Sequence, residues 1–254
     1  MDSMRKTALV AGVLYLVTFL ASIPAVFLMG PVLTNPDYII SAGADRQVIL
    51  GAFLDVITAL AGIGTAVALF SVVKRQHEGL AIGFVASRGF EAAVIGMGVV
   101  SVLAVVTLRQ PGATGVEATS LVVTGQALVA VKDWTFMIGP GMAGLNALLL
   151  GTLMYRSRLV PRAIPMLGLI GAPLYLSAQI ATMFGFNDVT TAWSLIGLAP
   201  IFFWELSLGL WMTFKGFRPS APLMLEAAAE AAGPTGSSLG APAPVAAATT
   251  AGAS

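Results

Sequence analysis

Six stretches of this chain are each long and apolar enough to cross about 30 Å of hydrocarbon at a helical rise of about 1.5 Å per residue. They lie near residues 7–29, 48–73, 80–108, 133–155, 163–184 and 191–214. No water reaches a backbone inside lipid, so each stretch must satisfy its own N–H and C=O groups as a helix. The fold class that follows is an all-α membrane protein, a six-transmembrane-helix bundle over residues 1–219. The third stretch is longer than the lipid requires, which predicts tilt or extension beyond it. Composition agrees: 57% of the chain is hydrophobic and 10% charged, against about 25% charged in soluble domains. The first apolar run has a basic start, as a secretory leader would. At 23 residues it exceeds the usual leader core of about 7–15, so it is expected to remain as a span.

Lysine and arginine set the expected orientation, because loops rich in them stay in the cytoplasm. With the N-terminus inside, nine basic residues face the cytoplasm: Arg5, Lys6, Lys74, Arg75, Arg156, Arg158, Arg162, Lys215 and Arg218. Three, Arg46, Arg109 and Lys132, fall outside, and Arg88 lies within the third span. The expectation is a multi-pass protein of the cell membrane with both termini cytoplasmic.

Two outside loops are long. Residues 30–47 carry Gly-Pro and Asn-Pro and read as turns with a short interfacial piece. Residues 117–131 read as a helix on the outer surface leading into the fourth span. After Pro219 the composition turns to Ala, Pro, Gly, Ser and Thr. Residues 220–254 are expected to form a disordered cytoplasmic tail, with a short helix over 223–232.

Several function classes are excluded or unsupported. There are no cysteines, hence no disulfides, thiolate metal sites or cysteine catalysis. The single histidine, His77, has no metal partners and reads as a solvated turn residue. A net charge of +1 gives no field for nucleic acid. No Ser-His-Asp set, His-Glu-x-x-His or phosphate loop is present. No metal, cofactor or enzymatic activity is expected. The partners expected are the lipid bilayer and a small molecule or proton, with no protein partner legible.

The chemistry that remains is inside the membrane. A charge at a helix centre in lipid costs roughly 2.5–3.5 kcal/mol on insertion scales, so it persists only facing a partner or a wet cavity. Arg88 and Glu91 form an i, i+3 pair on the third span. Helix rise places Glu91 roughly 4 Å to the cytoplasmic side of its midpoint and Arg88 about 9 Å. Glu205 lies about 4 Å and Asn146 about 3 Å on the same side. These four predict one polar layer. Asp55 and Gln179 each lie about 8 Å outward and predict a second. Asp55 shares a helical stripe with Gly51, Thr58, Gly62 and Ala66, small or polar residues suited to close helix contact. Trp204, beside Glu205, is a candidate for stacking on a ligand.

Three readings of this set stay open: a ligand or proton site, a structural ion pair that fixes packing, and an Arg88 that snorkels to the headgroups. With Arg88 as the one deep cation and three deep acids, at most one acid is fully neutralised. The others must be protonated or bind a cation. Pro24, Pro140, Pro173 and Pro200 lie within spans and each frees a carbonyl. Gly139-Pro140-Gly141 is the point most able to break a helix, or else an ordinary kink.

Short motifs at the span boundaries and within the third and sixth spans occur in a familiar order. They are Arg5-Lys6-Thr7-Ala8, Ser87-Arg88-Gly89-Phe90-Glu91-Ala92, Asp133-Trp134-Thr135-Phe136 with Gly139-Pro140, Ser157-Arg158-Leu159-Val160-Pro161-Arg162, Trp204-Glu205-Leu206 and Lys215-Gly216-Phe217. Over residues 5–219 the chain resembles the membrane proteins with a DUF4386 domain. The resemblance implies a six-span bacterial-type membrane protein and supplies no activity.

Overall fold

The structure is a computed structural model and describes residues 3–232. Its long helices are α1 (Ser3–Thr34), α2 (Asp45–Val73), α3 (Glu78–Leu108), α4 (Gly115–Ser157), α5 (Ala163–Met183) and α6 (Ala192–Phe214). A 3-10 turn, Tyr38–Ile40, and a short helix, α7 (Pro222–Ala232), complete the described residues. The six long helices coincide with the six apolar stretches, and each is long and apolar enough to cross a membrane.

The helices pack in chain order: α1 on α2, α2 on α3, and so on to α6, which returns to pack on α1. The bundle is thus a closed ring of six. Short connections force neighbours antiparallel, so α1 begins and α6 finishes at the same end, called here the near end. Closure of the ring depends on small residues. A Cβ on Gly12 of α1 would lie 2.5 Å from the Thr213 backbone nitrogen of α6, so only glycine permits that approach.

The bundle is apolar outside and partly polar within. Leu20, Phe27, Leu60, Val67, Val100 and Phe203 stand exposed on the helix faces, a surface suited to lipid and not to water. The near end holds the larger buried cluster, built on Leu69, Phe84, Leu150, Met154, Leu208 and Met212. At this end the Arg5 guanidinium donates to the carbonyls of Met212 and Thr213, both at 2.8 Å, and so caps α6. His77 caps α3, its Nδ1 accepting from the Leu80 N–H at 3.2 Å.

One local expectation changes, and two neighbouring stretches gain detail. The helix expected on the outer surface is the first part of α4, which runs unbroken for 43 residues. That is about 65 Å, longer than a bilayer with its headgroups. Its initial turns stay upright because Gly125 seats against Ile39 of the 3-10 turn, and Leu121, Val122 and Leu128 join a second apolar cluster there. The 30–47 segment is correspondingly packed: the Tyr38 hydroxyl donates to Asp45 at 2.8 Å, and Arg109 pairs with Asp45 at 2.8 Å. Burial and that hydrogen bond push the Tyr38 hydroxyl up to about 12. Gly139-Pro140-Gly141 does not break α4.

At the other terminus, packing runs past residue 219. The Arg218 N–H donates to the Leu159 carbonyl at 2.8 Å, and Ala221 and Leu223 are buried in the near-end core. Apolar side chains at the start of α7 find a groove there, which composition alone did not reveal. The expected disorder of the last residues, 233–254, lies outside the described residues.

Candidate functional site

The closed ring has a centre, and the charged side chains meet in it. Arg88 extends from α3 and is 5% exposed. One amino group donates to Glu91 Oε2 at 3.0 Å. The other donates to Glu205 Oε1 on α6 at 2.6 Å and to the Tyr15 hydroxyl on α1 at 3.3 Å. The guanidinium carbon also lies 5.4 Å from the Tyr15 ring centroid and 5.9 Å from that of Phe84, within cation–π range. Asn146 of α4 donates from Nδ2 to Glu91 Oε2 at 2.8 Å. Arg88, Glu91, Asn146 and Glu205 thus form one hydrogen-bonded layer spanning α3, α4 and α6, with Tyr15 added from α1.

Arg88 does not reach for the bundle end, because both of its amino groups are engaged at the centre; snorkelling is not its conformation. It also does not choose between the two glutamates. The charge count changes less than its geometry: one cation stands between two carboxylates, leaving the layer one negative charge in excess when both are ionised.

A second layer lies toward the far end, and its composition corrects the expectation. Asp55 of α2 is bound by Lys132 Nζ of α4 at 2.6 Å, a pair in which the lysine is 5% and the aspartate 12% exposed. Lys132 is therefore a deep cation and not a loop residue. It reaches α2 by passing α3 at Gly98, where a Cβ would lie 3.0 Å from its Cδ and 2.5 Å from Thr135 Oγ1. Gln179 does not join Asp55. Its Nε2 donates to the Met137 carbonyl at 3.2 Å and the Tyr175 hydroxyl at 3.3 Å, tying α5 to α4 just before Pro140. Trp204 is 1% exposed and packs on Gly168 of α5, whose Cβ would meet its ring at 2.8 Å. It fills a helix contact and does not face open space.

Between the layers the ring is hollow. A cavity of about 200 Å³ is lined by residues of all six helices, including Thr18, Thr58, Arg88, Glu91, Pro140, Tyr175, Phe202 and Glu205. A smaller one of about 50 Å³ lies against Asp55, Lys132 and Thr135. Ser22, Thr58, Ile95 and Pro140 line both, so the two adjoin. Among the described residues, each carboxylate of the first layer keeps one oxygen free of protein donors: Glu91 accepts only at Oε2 and Glu205 only at Oε1. Among the described residues, no group of three or more His, Cys, Asp or Glu is placed to hold a metal ion.

Tyr15, Lys132 and Tyr175 were not singled out in the sequence. A tyrosine in an apolar run carries no periodic signal. Lys132 did carry one: with Thr135 and Gly139 it continues the buried stripe of α4, at i, i+3 and i+7.

A closed ring of apolar helices around charged layers defines a multi-pass α-helical membrane protein. Within that class the chain belongs to the family described as "Domain of unknown function (DUF4386)", whose model matches residues 10–216. No curated protein and no solved structure matched the chain.

Proposed function

We propose that the layer of Arg88, Glu91, Asn146 and Glu205 binds or passes a small solute or a proton, and that the protein is not an enzyme. The observation that carries this reading is the cavity to which all six helices contribute and onto which Glu91 and Glu205 open. An unbalanced carboxylate in a low-dielectric site is costly. A proton or a cationic solute offsets it. Pocket, charge excess and free acceptor oxygens then have a common purpose. The second reading, a network that only fixes packing, is favoured by one observation: Arg88 is held by three protein partners.

Infrared difference spectra of the lipid-embedded protein across a pH series separate the two. The expected result is a protonated-carboxyl band that titrates and that Glu91→Gln or Glu205→Gln alters, while Asp55→Asn leaves it in place. If no titrating carboxyl responds to either glutamine, the proton or solute reading fails and the packing role stands.

We further propose a cell-membrane location with both termini cytoplasmic. With Lys132 inside the ring, nine basic residues at the near end oppose Arg46 and Arg109 at the far end, a wider margin than loops alone suggested. Reporter fusions after Gln76, Arg158 and Arg218 are expected to signal cytoplasm, and fusions near Asp45 and Gly115 the outside. An outside signal at Arg158 reverses the assignment.

A further inference from the structure

The charge and the walls of the central cavity together select an occupant. This inference rests on the proposed reading of the cavity as a binding site and names the class of solute.

An anion is disfavoured, because Arg88 is already engaged by two carboxylates and further negative charge would add to the excess that their ionisation leaves. A neutral solute leaves that excess uncorrected. A cation corrects it, and Glu91 Oε1 and Glu205 Oε2 are free to accept from one. The rest of the wall is largely apolar and aromatic. Phe19 and Phe202 meet edge to face with centroids 5.2 Å apart, and both line the cavity with Tyr175. Aromatic rings suit the apolar body of an organic cation and can hold its charge against their faces. Size sets a limit. A dry apolar cavity of about 150 Å³ accommodates benzene, so about 200 Å³ accommodates one six-membered ring with a short charged arm.

We propose that the central cavity binds a small organic monocation, its ammonium on Glu91 and Glu205 and its apolar body on Phe19 and Phe202.

The test uses the full chain in nanodiscs, with empty nanodiscs as the blank. Calorimetry compares benzylammonium with benzyl alcohol, a neutral analogue of similar size, and with benzoate. The expected result is saturable benzylammonium binding at least about tenfold tighter than benzyl alcohol, about 1.4 kcal/mol, and none for benzoate. Glu205→Gln should weaken benzylammonium about tenfold or more. Because that variant also touches the Arg88 network, Phe19→Ala provides a second arm. It leaves the polar layer intact, so it should weaken benzylammonium while the titrating carboxyl band is unchanged. Equal affinity for the amine and the alcohol overturns the proposal, as does the absence of benzylammonium binding. If the amine fails while the carboxyl band persists, the site takes a proton only. If both are absent, the binding-site reading fails with it.

Discussion

Lys132→Met is expected to destabilise the protein by about 3–5 kcal/mol, the range found when one partner of a buried ion pair is removed. Methionine keeps much of the length and apolar volume of the lysine stem beside Gly98, so the loss reports the charge and not a void. What remains is Asp55, almost wholly buried, with no cation at 2.6 Å. On the scale of soluble domains of this size the loss corresponds to a fall of about 6–20 °C in Tm. Adding Asp55→Asn should restore most of it, because the second change removes the stranded charge. Thermal melting of the two single variants and the double variant in detergent gives the coupling. Losses that simply add would show that the two side chains are not paired, and the second layer would then have no basis.

Arg88→Ala is expected to be at least as damaging, since it strands two carboxylates and the Tyr15 hydroxyl together. The starting cost is again about 3–5 kcal/mol for a broken buried pair. Either glutamine alone, Glu91→Gln or Glu205→Gln, should recover part of the loss in the arginine variant, and both together most of it. This differs from what one cation facing one chosen acid would give, where a single glutamine suffices. The pH dependence has a definite sign. Without Arg88 the carboxylates destabilise the bundle only while ionised, so acidification, which protonates them, should shrink the gap to wild type. Melting at neutral and acidic pH checks this. A gap that stays constant or widens on acidification would mean that uncompensated carboxylate charge is not what the variant suffers.

Different parts of this architecture left different traces in the sequence. The spans were legible because lipid demands uninterrupted apolar length, and a run such as 163–184 admits no other reading. Arg88 and Glu91 were legible because their spacing alone places them together. Asn146 and Glu205 were reached through depth, which helix rise supplies. Depth fails where azimuth matters: Gln179 shares a level with Asp55 yet faces the α4 backbone. Lys132 was misplaced because it stands beside Asp133, and two adjacent charges resemble the end of a span. The continuous α4 removes that boundary. The buried charges pointed to a partner or a cavity, but the cavity's volume left no trace, since it is a property of six helices taken together and of none separately.

The order of the ring also dictates an order of birth. A chain made from its N-terminus delivers α1 to the membrane first and α6 last, and five of the six seams join helices that are consecutive in synthesis. Charges arrive on the same schedule. Arg88 enters with Glu91 three residues behind it, so the third span carries its own counter-ion across the translocon. Asp55 enters without one and must wait two spans for Lys132. Glu205 comes last, on the helix that closes the seam with α1. Until it arrives, Arg88 and Glu91 balance one another. With both glutamates ionised, the surplus negative charge therefore comes into being only when the ring shuts, and no earlier helix brings that imbalance to the layer.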